Sequence, residues 1–169
     1  LPANKDIKNI STTSDGDLYS GLVDNSNTTF KIYRVPNGST AATQITNSGF
    51  TELYSILAAG SKIYVHGFQS GYKIAVSAND GTSWSLRDVP VSADILVASE
   101  DLLFGENGGD VYMSNDGANS WQSIFTLTSN QSLSDAILAE GANYKAYLAI
   151  KNGPIWESNG TVLRPTPPV

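Results

Sequence analysis

Apolar and polar residues alternate in short runs along the chain, and Gly, Asn and Asp punctuate the runs. "KIYVHGF" (62–68), "YKIAVS" (72–77) and "DVYMS" (110–114) show the pattern. A period of two predicts half-buried β-strands, and the punctuating residues are those that turns require. No segment carries an apolar stripe at helical spacing over about ten residues, so no helix is predicted.

The strands recur in units. "LYSGLV…FKIYRVPNGSTAATQI", "KIYVHGFQSGYKIAVSANDGTSWSLRD", "LLFGENGGDVYMSNDGANSWQSIF" and "KAYLAIKNGPIWESNGTVLRP" each read as three strands joined by Gly/Asn turns. Their equivalent aromatics are Tyr19, Tyr64, Phe104 and Tyr147, and their turn glycines lie near Gly38, Gly81, Gly117 and Gly160. A further strand precedes each unit: "IKNIST" (7–12), "YSILAA" (54–59), "DILVAS" (94–99) and "DAILAE" (135–140). The last three are apolar at consecutive positions, which predicts burial on both faces. Four strands in about 40 residues is the size of a propeller blade.

The expected fold is therefore all-β, a β-propeller of four four-stranded meander blades. The blades span approximately 1–46, 47–89, 90–127 and 128–164, with a Pro-rich tail at 165–169. Four is the low limit for closing such a ring. The expectation is something larger than one closed chain, either a cut propeller or a half-ring completed by self-association, with a compact four-bladed ring as the alternative.

Composition narrows the function classes. The chain has 169 residues, 40% of them apolar and 15% charged, enough for a packed core and unlike a disordered chain. A net charge of −6 leaves no basic footprint for nucleic acid or anionic lipid. Absence of cysteine removes disulfides and thiolate metal sites, and His66 is the single histidine. No apolar run is long enough to span a membrane as a helix. Abundant Ser, Thr, Asn and Gly with scarce Lys suggest a secreted, periplasmic or cell-surface protein, and a start at Leu1 fits a processed chain. Sequons begin at Asn9, Asn27, Asn37, Asn130 and Asn159. A chain of this composition would carry roughly three by chance, so they weigh little.

Two octapeptides are near copies: "SANDGTSW" (77–84) and "SNDGANSW" (114–121). They resemble the Asp-box, Ser-x-Asp-x-Gly-x-Thr-Trp, of the sialidase-like (BNR-repeat) β-propellers. Ser77, Gly81, Ser83 and Trp84 match in the first copy, where Asn79 stands in the aspartate position. Ser114, Asp116, Ser120 and Trp121 match in the second, where Ala118 takes the glycine position and Gly117 precedes it. "WESNGT" (156–161) and "RVPNGS" (34–39) are fainter copies. The resemblance implies a structural hairpin between the third and outermost strands, opposite the ligand face, with the Trp covering the turn. Burial of that ring would contribute about 1.5–3 kcal/mol. "YRVP" (33–36) is similar to the Arg-Ile-Pro motif of sialidases, but it leads into a box equivalent instead of preceding the first box. With Arg34, Arg87 and Arg164 as the whole arginine complement, sialidase activity is not expected.

Candidate sites fall on the loops joining strand two to strand three and on those joining blades. Aligning the first strands places Asn9, Tyr54, Asp94 and Asp135 at equivalent positions at the channel mouth. Two carboxylates and a tyrosine there would suit sugar hydroxyls, calcium without a dedicated motif, or an acid–base pair. His66, Phe68 and Tyr72 share the most aromatic loop, a stacking platform for sugar rings. The favoured expectation is a non-catalytic, exported binding module for carbohydrate or protein, with no cofactor. The alternatives are a glycoside hydrolase or lyase lobe using Asp94 and Asp135, and a purely structural lobe.

Overall fold

The computed structural model describes residues 5–24, 29–45, 49–90, 95–97, 99–139, 145–158 and 163–165. Its elements are strands throughout, in four antiparallel four-stranded sheets, each a simple meander. Blade one holds β1 (Lys5–Thr12), β2 (Leu18–Asp24), β3 (Thr29–Val35) and β4 (Thr43–Ile45). Blade two holds β5 (Glu52–Ala59), β6 (Lys62–Phe68), β7 (Tyr72–Ser77) and β8 (Ser85–Asp88). Blade three holds β9 (Ile95–Val97), β10 (Leu103–Asn107), β11 (Asp110–Ser114) and β12 (Gln122–Thr126). Blade four holds β13 (Ser132–Ala139), β14 (Lys145–Lys151), β15 (Ile155–Ser158) and β16 (Leu163–Pro165). This is the all-β, four-blade propeller architecture.

The blades fall into two compact units, Leu1–Val89 and Pro90–Val169. In the first, Tyr19, Phe30 and Ile32 of blade one pack with Leu53, Ile56, Ile63, Val65 and Ala75 of blade two, and Phe50 joins them from the inter-blade loop. In the second, Phe104, Val111 and Met113 of blade three pack with Ala136, Ala146, Leu148 and Ile150 of blade four. There the Trp156 ring stacks on Phe125 at 4.4 Å and 6°. The first unit also has a polar clasp. The Asn9 amide accepts from the Ile56 N–H at 2.9 Å and donates to the Ile56 carbonyl, while Ser11 Oγ accepts from the Ala58 N–H at 2.7 Å. Side chains of β1 thus satisfy the β5 edge that no strand covers. Asn9 is a strand anchor.

Neither β5 nor β13 is buried on both faces: Ile137 is 57% exposed, and in β5 only Leu53 and Ile56 are buried. Each of β1, β5 and β13 carries a bulge, between Ile7 and Ile10, Leu53 and Ser55, and Leu133 and Asp135. An extra residue breaks strict alternation, so a run of consecutive apolar residues no longer reports two buried faces. The bulge also corrects the alignment. Ser55 pairs with His66 where Asp135 pairs with Ala149, each one residue before the partner of the next core residue. Ser55 is the counterpart of Asp135, and Tyr54 is the inserted residue.

Both octapeptides form the turn between the third and fourth strands of their blades. In each, one hydroxyl and one Asx side chain organise the loop. Ser77 Oγ donates to Asn79 Oδ1 at 2.9 Å and accepts from the Gly81 N–H at 2.9 Å, while Asn79 Oδ1 accepts from the Ser83 N–H at 3.0 Å. Ser114 Oγ donates to Asp116 Oδ1 at 2.9 Å and accepts from the Ala118 N–H at 2.8 Å, while Asp116 Oδ1 accepts from the Ser120 N–H at 2.9 Å. Two consecutive left-handed residues close each loop: Asp80 and Gly81 at φ 58° and 78°, Gly117 and Ala118 at φ 68° and 72°. The glycine moves by one position because either residue of the left-handed pair relieves part of the same strain. Trp84 is half-buried against the first unit's core. Trp121 is half-buried at the same point of the second loop.

Candidate functional site

An aromatic cluster stands at the end of blade two, and local geometry builds it. Glu52 pairs with Phe68 across β5 and β6, and Phe68 pairs with Tyr72 across β6 and β7. Directly opposed residues on antiparallel neighbours project to one face, so Glu52, Phe68 and Tyr72 form a row over three strands. The β6–β7 hairpin that ends the row is closed by Gln69, Ser70 and Gly71, with the Gln69 N–H donating to the Gly71 carbonyl at 2.9 Å. Ser70 and Gly71 take φ values of 55° and 135°. The bulge then delivers Tyr54 to the same face.

The rings meet. Tyr54 and Tyr72 lie 6.0 Å apart between centroids with a 40° tilt, and Phe68 meets Tyr72 edge-on at 5.6 Å. Beneath them His66 is fully buried, edge-on to Tyr54 at 5.2 Å. Tyr72 is 38% exposed, whereas Tyr54 and Phe68 are half-buried. The Tyr54 hydroxyl donates to Glu52 Oε2 at 2.9 Å. Burial, joined by that bond to a carboxylate, pushes the Tyr54 phenol up to about 12. On the opposite face, Gly67 lies where a Cβ would meet the Glu52 carbonyl at 2.2 Å and the Phe50 ring at 2.9 Å. Glycine there lets β5 and Phe50 close over β6 and holds the row in place.

Of the residues predicted for a site, the structure brings together Tyr54, His66, Phe68 and Tyr72. His66 is corrected from a loop residue to a buried strand residue, because the loop is only three residues long and His66 lies within β6, two residues before Phe68 on the same face. Asp94 lies outside the described residues. Asp135 belongs to the second unit, is exposed, and accepts from the N–H of its neighbour Ala136 at 2.8 Å. Among the described residues no three His, Cys, Asp or Glu side chains gather as a metal site.

Two features escaped the sequence reading. Glu52 is one; its spacing of two from Tyr54 was the available signal. The other surrounds Arg34. Its guanidinium pairs with Asp17, which is buried, and with Asp80 at 3.0 Å, while the Tyr19 hydroxyl donates to Asp80 Oδ1 at 3.3 Å. Asp17 Oδ1 also accepts from the Asn37 N–H at 2.8 Å. Arg34 therefore ties blade one to the first octapeptide turn. Burial pushes the Tyr19 phenol up to about 12 against the opposing pull of Arg34.

No family profile matches the chain, and no curated protein matches it. Among solved structures it is similar to YCF48 bound to D1 peptide, at 12% identity and a TM-score of 0.54 over 94% of this chain and 64% of that one. It is similar also to YCF48 from Cyanidioschyzon merolae, at 15% identity and a TM-score of 0.54 over 98% of this chain and 60% of that one. The chain spans less than two thirds of the length of either. At such identities the likeness is one of fold, a β-propeller.

Proposed function

We propose that this chain is a binding module that recognises a segment of another protein at the Tyr54–Phe68–Tyr72 end of blade two. The observation that carries the reading is the row Glu52–Phe68–Tyr72, completed by the bulged Tyr54 into an accessible aromatic surface with a carboxylate at its end. Aromatic side chains of this kind supply large, stiff contact area at low entropic cost, and they dominate interfaces energetically. A solved structure of similar fold is described as bound to a peptide, which supports the choice of partner.

Carbohydrate is the second reading, favoured by the exposed face of Tyr72, since aromatic faces also stack on sugar rings. An Asp-box ancestry rests on the matched hydrogen bonding of the two octapeptide turns. An exported setting rests on composition, and Asn37 and Asn130 would then be acceptor positions on exposed turns.

Parallel peptide and glycan arrays probed with the whole chain, and with its Phe68→Ala and Tyr72→Ala variants, separate the readings. Peptide spots that dim in both variants support the proposal. Glycan spots that do so favour the second reading. Binding that ignores both substitutions would place the site elsewhere.

A further inference from the structure

We infer that the same cluster seats a lysine or arginine side chain of the peptide partner, over the Tyr72 ring and beside Glu52. The inference rests on the peptide-binding reading above and adds the chemistry of the anchoring residue. Three aromatic rings converge within 6.0 Å of one another between neighbouring centroids, and the most exposed of them is Tyr72. The faces of such rings carry partial negative charge and attract a cation lying within about 6 Å of the centroid. Glu52 is exposed, and its carboxylate is oriented by the Tyr54 hydroxyl, so a full negative charge is fixed at the edge of the rings. That carboxylate and the rings act in the same direction.

Two cations of blade two flank this arrangement, one on each face. Lys73 follows Tyr72 and so projects to the opposite face, where it forms an ion pair with Asp88. Arg87 pairs with Ile74 and shares the cluster's face on β8, the strand next to Tyr72 and the third from Glu52, so the seat lies on the Glu52 side of the Tyr72 ring, away from that guanidinium. The chain as a whole carries a net charge of −6, which favours a basic ligand over an acidic one. An acidic or phosphorylated peptide would meet Glu52 and the negative ring faces first, with Arg87 beyond the Tyr72 end of the row.

A random peptide library displayed on phage, selected on the immobilised whole chain, tests both levels. Selected peptides are then titrated against the parent, Tyr72→Ala, Tyr72→Phe and Glu52→Gln. The expected result is a recurrent Lys or Arg in the selected sequences. Tyr72→Ala should weaken binding about tenfold and Glu52→Gln about threefold, while Tyr72→Phe, which keeps the ring, should change it less than about twofold. Replacing the basic residue by norleucine should cost about as much in the parent as Tyr72→Ala does, and little more in that variant. Peptides that depend on Tyr72 yet need no basic residue would overturn the cation seat and leave peptide binding standing. Selected peptides indifferent to both Tyr72 and Phe68, or no selection at all, would overturn both. Tyr72→Phe also guards against misreading a folding defect, because it preserves the packing that Tyr72→Ala removes.

Discussion

At the scale of single residues, the two octapeptide turns show how one backbone solution tolerates different side chains. Gly81 sits at φ 78° where a Cβ would meet Ile45 Cδ1 at 2.4 Å, so it answers to both backbone and packing. Ala118 holds the same place at φ 72° and is fully buried. Gly81→Ala is expected to lower stability by about 1–3 kcal/mol. Ala118→Gly should stay within about 1 kcal/mol of the parent, because relief of backbone strain is offset by a lost buried methyl and a freer unfolded chain. Urea unfolding of the two variants checks the asymmetry. Tyr54 offers a second residue-scale test. A phenol pushed up to about 12 holds its proton more tightly folded than unfolded, so its contribution to stability is complete below the ordinary value of 10.0. That contribution is lost as pH rises through about 12. Ultraviolet difference absorbance should show Tyr54→Phe removing one phenol from the late end of the alkaline titration. Loss from the early end instead would mean that Tyr54 is solvated and does not hold the Glu52 carboxylate.

At the scale of elements, Asp116 and Asn79 perform the same task with and without a charge. Burial works against the ionised Asp116, but hydrogen bonds from Ser120, Ser114 and the Asn119 N–H outweigh it and hold the carboxyl below its ordinary 3.8. A depressed folded value stabilises the turn above 3.8, and the gain disappears as pH falls through the lower folded value. Asp116→Asn should fold, since Asn79 already accepts from the Ser83 N–H and donates to Ser83 Oγ at 2.8 Å. It should also flatten the acid limb of the stability–pH profile, and an unchanged limb would assign acid sensitivity to other carboxylates. The blades were legible because alternation, Gly/Asn turns and the octapeptides all repeat together. The bulges were not, because an inserted residue leaves no compositional mark. Tyr54 was set against Asp135 by matching the apolar runs, whereas the pairing after the bulge in both strands sets Ser55 against Asp135. A similar limit hid the fate of His66, since a loop boundary three residues long cannot be placed from residue types when strand and turn residues intermix. The aromatic grouping was readable because Phe68 and Tyr72 are close in sequence. Glu52 offered only its spacing of two from Tyr54, and its place opposite Phe68 depends on cross-strand register. Asn9 makes the same point. Nothing in "IKNIST" says that its amide will satisfy Ile56, and Asn9→Ala should cost about 1–3 kcal/mol by stranding those backbone groups.

At the scale of the whole molecule, charge becomes a property that no single contact contains. Sixteen acidic residues against ten basic ones give a field that draws in cationic partners and repels acidic ones before any ring is touched. The cluster and the net charge then act at different stages of binding. Net charge governs encounter, at distances where salt screens it; Glu52 and the rings govern retention, at contact distances where screening is weaker. Stopped-flow association of a Lys- or Arg-bearing peptide should therefore slow by at least about fivefold as salt rises from about 0.02 to 0.5 M, the Debye length shrinking from roughly 20 Å to 4 Å. Dissociation should change much less over that range, and Tyr72→Ala should show the converse, a faster dissociation with the salt dependence of association intact. An association rate flat in salt would mean that the acidic surface takes no part in recognition, whatever the rings hold. A dissociation rate as salt-sensitive as association would place the ligand's charge in open solvent beside Glu52, away from the Tyr72 face.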